Sequence, residues 1–459
     1  MRGYRPTKEH LIKYLDNHYN KLEDAVCHLL SLPSVLDETT ASKDAPFGYD
    51  LAVTLEHFLA EAQGLGFRAR NLEGYLGFID FGPESAQTVG ILGHLDVVPV
   101  GEGWTKKPFG GQIFNDKIYG RGAVDDKAPL VACLYAMSAI KELGMPIKKK
   151  IRLIAGCDEE TDFRCINYYK KQGLSIPDYG FSPDAEFPLI FAEKQIIHCT
   201  LEADLPDYGL EISCGNAVNM VPGSATVKFI SPYWLRKTKA VRLKLDKNNS
   251  CLINGRTAHA STPSEGKNAA KSLLAFLAQN ADSEQFKNIC RTLLQFAPDN
   301  EFQPALNALG LGLEDETGIL TCCLTMLSLK NNHLSLSLDV RFPISGVSKS
   351  VKAQIEAIGA RAGLQMTSYK YKDGLLIEKD SELIKKLLSA YSEISGEKNP
   401  APIAIGGGTY ARALENFCAF GPAFPGGGYP AHQPDEFISR ADLLLLSKIY
   451  ALAICNLAQ

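Results

Sequence analysis

Five short stretches of this 459-residue chain combine histidine and carboxylates in patterns that could do chemistry. In Gly93-His94-Leu95-Asp96, a spacing of two puts His94 and Asp96 on one side of an extended chain. A carboxylate so placed can accept the second N–H of a metal-binding imidazole and fix its tautomer. In Gly122-Ala123-Val124-Asp125-Asp126-Lys127, two acids precede a helical pattern. One carboxylate is enough to cap a helix, so the other is free to bridge cations. Asp158-Glu159-Glu160 crowds three acids at a strand's end, where like charges repel and raise each other's pKa. Ser182-Pro183-Asp184-Ala185-Glu186 and Ala431-His432-Gln433 complete the set. Each stretch alone also suits a solvated turn. Together they place imidazoles and carboxylates, without cysteine, at successive strand ends, a donor set suited to Zn²⁺ or Mn²⁺. Two such cations about 3.5–4 Å apart, bridged by one carboxylate, form the two-metal arrangement of hydrolases.

Such residues converge only if the chain delivers them to one edge of a sheet. TVGIL from Thr88 and KKKIRLIAG from Lys148 read as strands, and APLVACLYAMSAIKELG from Ala128 reads as a helix stopped by Gly144. That alternation predicts βαβ units and a mostly parallel sheet covered by helices, with sites beyond the strands' carboxyl ends. Past about residue 195 the texture changes. GILTCCLTML and HLSLSLDVRFP flank Lys330-Asn331-Asn332, a hairpin pattern, and Leu334 to Arg341 alternates apolar and polar, predicting one wet face. Helices are expected over 268–280 and 348–362. After about residue 375 the βα rhythm returns. The fold class is therefore α/β, with a catalytic domain over 1–190 and 376–459 and an α+β domain over 191–375 inserted into it.

Composition excludes several classes. The chain is 45% hydrophobic and 22% charged, with a net charge of −4, which disfavours nucleic-acid and anionic-membrane partners. No apolar run approaches the roughly 20 residues that cross a bilayer. The N-terminus is charged throughout and has no signal-peptide core. Twelve cysteines with no CxxC pair suggest small buried thiols in a reducing cytoplasm, and the neighbours Cys322 and Cys323 would point to opposite faces of a strand.

GHLDVVPVGEGW, YGRGAVDDKAP, CDEET, SPDAEFP and the late AHQ resemble, in order, the motifs of the co-catalytic di-zinc peptidases that include aminoacylase, carboxypeptidase G and dipeptidase V. SPDAEFP, NMVP and IGGGTYAR look closest to the dipeptidase V branch. The resemblance implies a zinc-exopeptidase-like catalytic domain with an inserted lid, and two divalent cations, zinc before manganese. It implies His94 and Asp184 on one cation, Glu160 and His432 on the other, Asp125 bridging both, and Asp96 orienting His94. Glu159 then resembles the general base, for attack of a metal-bridging hydroxide on a peptide carbonyl. In the lid, His259 of GRTAHASTP resembles the histidine that stabilises the oxyanion. Asn219 and Arg341 resemble substrate contacts, a planar guanidinium suiting a carboxylate, and Gly406, Gly407 and Gly408 resemble a backbone cradle at the substrate's carboxylate end.

Two departures stand out. Ala128-Pro129 replaces the small residue and glycine of relatives, which a helix start tolerates. Gly421 to Ala431 is shorter and less charged than in dipeptidase V, which bears on substrate preference. The expected function is hydrolysis of dipeptides or short peptides by a functional monomer. N-acyl-amino-acid or carboxypeptidase-like hydrolysis on the same site is the first alternative. A non-catalytic metal-binding or scaffolding role is an alternative of another class. Consecutive side chains diverge along a strand, so Glu159 and Glu160 can share a site only if the backbone turns there.

Overall fold

The computed structural model describes residues 6–297, 306, 307 and 309–459. The chain divides into two compact units, residues 1–192, 376–403 and 408–459 in the first and residues 193–375 and 404–407 in the second.

In the first unit, α1 (Lys8–Leu30) and α2 (Tyr49–Gly64) precede a hairpin of β1 (Arg68–Leu72) and β2 (Leu76–Phe81). Then follow β3 (Thr88–His94), α3 (Lys127–Leu143), β4 (Lys150–Gly156), α4 (Arg164–Lys171) and β5 (Tyr179–Ser182). The strands lie in the order β1-β2-β4-β3-β5, followed by Phe417–Ala419. From β4 through Phe417–Ala419 they run parallel, and β1 and β2 add antiparallel neighbours on one side. The parallel centre is as expected; the antiparallel flank arises because only three residues, Glu73, Gly74 and Tyr75, separate β1 from β2, the first two of them left-handed. All seven residues of β3 are buried, as a parallel strand covered on both faces requires. α3 packs between α1 and the helix Arg440–Leu457, and Gly144 ends it in the left-handed conformation that favours glycine.

The second unit is built on an antiparallel sheet of β6 (Gln195–Asp204), β7 (Leu210–Cys214), β8 (Ser224–Phe229), β9 (Ser250–Asn254), β10 (Thr321–Lys330), β11 (His333–Phe342) and β12 (Gln365–Lys372), ordered β9-β8-β7-β10-β11-β6-β12. Its core joins alternate residues of β6 (Ile197, Cys199, Leu201) to Leu273, Leu277, Ile289 and Ile355 of the helices Ala269–Asn280, Glu284–Leu294 and Ser348–Ala360. Asn331 and Asn332 turn the β10–β11 hairpin with positive φ at both positions. The wet face expected of β11 holds only at its start: Ser335 and Ser337 are half-buried, whereas Asp339 and Arg341 are buried. They are satisfied by each other, as described below. None of the twelve cysteines is joined in a disulfide, and Cys322 and Cys323 fall in separate clusters. Among the described residues, no helix is long and apolar enough to cross a membrane.

Gly90 of β3 and Gly180 of β5 face each other in register, and a Cβ on Gly180 would land on the Gly90 carbonyl oxygen. Backbone cannot yield as a side chain can, so Gly180→Ala should cost about 1–3 kcal/mol. A Cβ on Gly64 meets open space, so Gly64→Ala, at a helix end, should be neutral or stabilising by up to about 1 kcal/mol. Thermal unfolding of both variants checks the pair.

Candidate active site

β3, β4 and β5 all end at the same sheet edge, and each delivers acids or a histidine there. His94 is the last residue of β3; Glu159 and Glu160 follow β4; Asp184 follows β5; and Asp125 lies just before α3. Asp125 stands between two imidazoles. Its Oδ1 is 2.9 Å from His94 Nε2 and its Oδ2 is 2.8 Å from His432 Nε2. Asp184 Oδ1 lies 3.8 Å from His94 Nε2, and Glu160 Oε1 lies 3.3 Å from His432 Nε2. Three overlapping groups result, His94–Asp125–Asp184, Asp125–Glu160–His432 and His94–Glu159–Glu160, each with donor atoms within 4.8 Å of one another.

These donors fit divalent cations. His94 Nδ1 is 2.9 Å from the Asp96 backbone carbonyl, which can only accept, so Nδ1 carries the hydrogen and Nε2 of the neutral ring presents a lone pair. That lone pair and the carboxylate oxygens converge without donors between them. His94 Nε2, Asp125 Oδ1 and Glu160 Oε1 are all buried without a hydrogen-bond partner. Buried acceptors aimed at one point need protons or metal ions. Two histidines with carboxylates, and no thiolate, match hard or borderline cations. The acceptor on Nδ1 differs from the expected one: the Asp96 carboxylate is 3.5 Å from Nδ1, and its Oδ2 instead accepts the Glu160 N–H at 2.9 Å. Asp96 therefore ties the β3 end to the turn that carries the two glutamates.

The charges show the same crowding. Burial alone would keep His94 neutral, but Asp125, Asp184 and Asp96 outweigh it and hold the ring's pKa well above its ordinary value. His432 is raised to about 11, with Asp125 and Glu160 outweighing the opposing effect of burial. Burial and then the Asp184 charge push Glu159 well up, and burial and Asp125 push Glu160 to about 7. Cations would compete with protons for these atoms.

The backbone does turn after β4. Glu159 to Asp162 form a turn, and both glutamates reach the group around His94. Asp158, only 1% exposed, holds that turn. It accepts from the Thr161 hydroxyl at 2.5 Å, the Arg164 N–H at 2.8 Å and the Arg164 guanidinium at 2.8 and 2.9 Å. These bonds fix the backbone just before α4, which starts at Arg164. Two further supports hold the ligands, of which the Tyr410 contact carried no sequence signal. Tyr410 donates its backbone N–H to Asp184 Oδ2 at 3.1 Å, sets its ring nearly perpendicular to that of His94 and places its hydroxyl 3.0 Å from Cys165 Sγ. Asp126, fully buried, accepts the His94 backbone N–H at 3.1 Å. The helix-capping role expected of one of the paired acids is not found: Asp126 makes no side-chain cap for α3 and instead supports His94.

In the second unit, Asn219, in a turn, lies on the segment next to that of His259. The Ala260 N–H donates to the Asn219 carbonyl at 2.8 Å, and Met220 bridges to His259. His259 Nδ1 lies 2.6 Å from Ser261 Oγ, and a Cβ on Gly406 would meet Ser261 Cβ at 2.8 Å. The Gly406 carbonyl accepts from Arg341 Nη1 at 2.6 Å. Arg341 is only 4% exposed, and Asp339 holds its Nε and Nη2 at 2.9 Å, with His198 3.1 Å from the same carboxylate. Asn219, His259, Arg341, Gly406 and Gly407 therefore belong to one unit, while Gly408 falls in the other, beside Arg412.

Asp158→Ala removes every acceptor that the turn offers Thr161 and Arg164. It should cost about 1–3 kcal/mol and speed hydrogen exchange at the Arg164 amide by tenfold or more, since about 1.4 kcal/mol corresponds to tenfold. Unchanged exchange there would remove the anchoring role of Asp158.

Comparison with known proteins agrees with this geometry. The profile of peptidase family M20/M25/M40 matches residues 90–456, a span that includes every candidate ligand. YtjP of Bacillus subtilis (strain 168), provisionally named a dipeptidase, is 35% identical over 452 residues, covering 94% of this chain and 96% of its own. Among solved structures, human carnosine dipeptidase 1 superposes with a TM-score of 0.62 at 15% identity, covering 99% of this chain and 100% of its own. The dipeptidase Dug1p of Saccharomyces cerevisiae does so with 0.60 at 12% identity, covering 98% of each. At those identities the two structures speak for the fold alone, including its division into two parts. The profile and the near full-length relative go further, and place the chain in peptidase family M20/M25/M40 as a peptide-bond hydrolase.

Proposed function

We propose that this hydrolase is a dipeptidase that works with two divalent cations, zinc before manganese. The observation that carries the reading is Asp125, whose two oxygens face two imidazoles. His94 and Asp184 would hold one cation, Glu160 and His432 the other, and Asp125 both. Bound there, the cations supply Lewis acidity to the scissile carbonyl and lower the pKa of water toward neutrality.

The chain's own residues do the rest. Asp96, through its carbonyl, fixes the His94 tautomer so that Nε2 faces the site. Glu159 sits beside His94 and Glu160 without being needed as a ligand, and its carboxylate accepts the proton of the attacking water. The same oxygen returns that proton to the leaving amine. Cationic charge beside Glu159 offsets the burial that otherwise favours its protonated form. His259 is assigned to the oxyanion, Asn219 to the substrate backbone, and Arg341 with the Gly406–Gly408 segment to the substrate's carboxylate end. Nη1 and Nη2 of Arg341 each keep a second N–H beyond the bonds to Gly406 and Asp339, and burial of the fork makes it a preorganised receptor. Twelve thiols kept out of disulfides support a reducing, cytoplasmic setting. A functional monomer is the simplest arrangement, because one chain carries the whole residue set.

Glu159→Ala should retain both cations by metal analysis and lose about 10²–10⁴ in turnover, the usual contribution of a positioned acid–base group. Unchanged turnover would refute the assigned base. A panel pairing free dipeptides with their N-acetyl forms tests the substrate class. The free dipeptides should be cleaved, and hydrolysis of the acetylated forms alone would turn the reading toward an amidohydrolase. Chelation should abolish activity in either case, and zinc or manganese should restore it.

A further inference from the structure

His432 differs from the other candidate ligands in having no strand or helix to hold it. It lies among turns, half-exposed and with positive φ, while His94, Glu160 and Asp184 hang from the ends of a buried sheet. Its ring nevertheless meets Asp125 at 2.8 Å. Something must hold its segment against the one that carries Asp125.

Glu436, four residues on, is fully buried. Its Oε1 sits in a nest of backbone donors, accepting from Val124 N–H at 2.8 Å, Gly122 N–H at 3.2 Å and Asp125 N–H at 3.3 Å. Its Oε2 pairs with Arg121 Nη1 at 2.6 Å, and Arg121 is itself only 1% exposed. The same Nη1 reaches back to the Gln433 carbonyl at 3.3 Å, one residue from His432. The Glu436 carbonyl accepts the Gly120 N–H at 3.0 Å. A carboxylate from the His432 segment is thus threaded through the Asp125 loop, and an arginine from that loop is returned to the His432 segment. Outside this clasp, Asp435 accepts from Thr105 and Lys106, and Phe437–Ser439 pairs with Lys117–Tyr119.

We propose that Glu436, with Arg121, is a positioning residue that sets the separation of Asp125 and His432 and thereby the affinity of the cation those two share with Glu160. The inference rests on the two-cation reading above. Groups behind metal ligands typically govern about 10–100-fold in affinity. The other group, His94 with Asp184, shares only Asp125 with the clasp and takes the rest of its geometry from the ends of β3 and β5. Loss of the clasp moves His432 as well as Asp125, and should therefore weaken the cation shared with His432 far more than the other.

The test is Co²⁺ titration of the chelator-treated full-length chain, followed by calorimetry and by the visible absorption of the bound ion. Wild type should take up two equivalents. Glu436→Gln keeps the side chain's size but sets an amide against the buried Arg121; one equivalent should change little and the other should bind about 10–100-fold more weakly. Arg121→Lys keeps the charge but loses the fork, and should give the same selective loss to a smaller degree, which guards against one variant failing to fold. Asp80→Asn breaks the Asp80–Arg152 pair at the far side of the sheet and controls for lost stability; both equivalents should bind as in wild type. Equal weakening of both equivalents, no weakening, or a selective loss in Asp80→Asn overturns the clasp. Fewer than two equivalents in wild type overturns the two-cation reading and this inference with it.

Discussion

Like charges held together inside a protein are the constraint that organises this molecule. Asp96, Asp125, Asp126, Glu159, Glu160 and Asp184 gather around two imidazoles at one sheet edge, most of them with little exposure to water. Coulomb repulsion in such a place amounts to several kcal/mol per close pair if nothing offsets it. The surrounding contacts keep the cluster from flying apart or simply holding protons. Backbone N–H groups are spent on Asp96, Asp126, Asp158, Asp184 and Glu436. Two cationic side chains nearby, Arg121 and Arg164, are tied to the supporting acids Glu436 and Asp158 and not to the candidate ligands. The central oxygens keep their lone pairs.

A parallel sheet is well suited to that task. Its strands all end on the same side, so one edge collects residues that are far apart in sequence, and the rigidity of a doubly covered core passes to the residues just beyond it. Glycines at close approaches show how tightly this is done. A Cβ on Gly156 would strike the Tyr410 hydroxyl, and one on Gly93 would come within 2.5 Å of Asp126 Oδ2. Bare backbone at the strand ends lets the supporting side chains reach the cluster.

The sequence made some of this legible and hid the rest for definable reasons. Hydrophobic runs and an Asn-Asn turn announced the strands and the β10–β11 hairpin, because those signals are local. The turn after β4 could be foreseen because two adjacent glutamates cannot otherwise face one site. Alternation failed for the end of β11. Asp339 and Arg341 look like a solvated face, but they neutralise each other and are buried together. Polarity marks a side chain's need for a partner, and water is only one of those available. Tyr410 and Glu436 were invisible because their partners lie 226 and more than 300 residues away and are reached partly through backbone N–H groups, which every sequence carries.

The thiols, mute in the chemistry, carry a last consequence. They divide evenly, six to each unit, and eleven of the twelve are buried. Burial holds Cys133 and Cys157 in the first unit, and Cys322 in the second, well above an ordinary thiol pKa, so the folded chain resists alkylation and oxidation at these positions. Each becomes reactive only when its own neighbourhood opens. The protein therefore carries a built-in clock for local unfolding in each half, with labelling rates at Cys165 and Cys322 reporting separately on the part that bears the acids and on the part that bears His259.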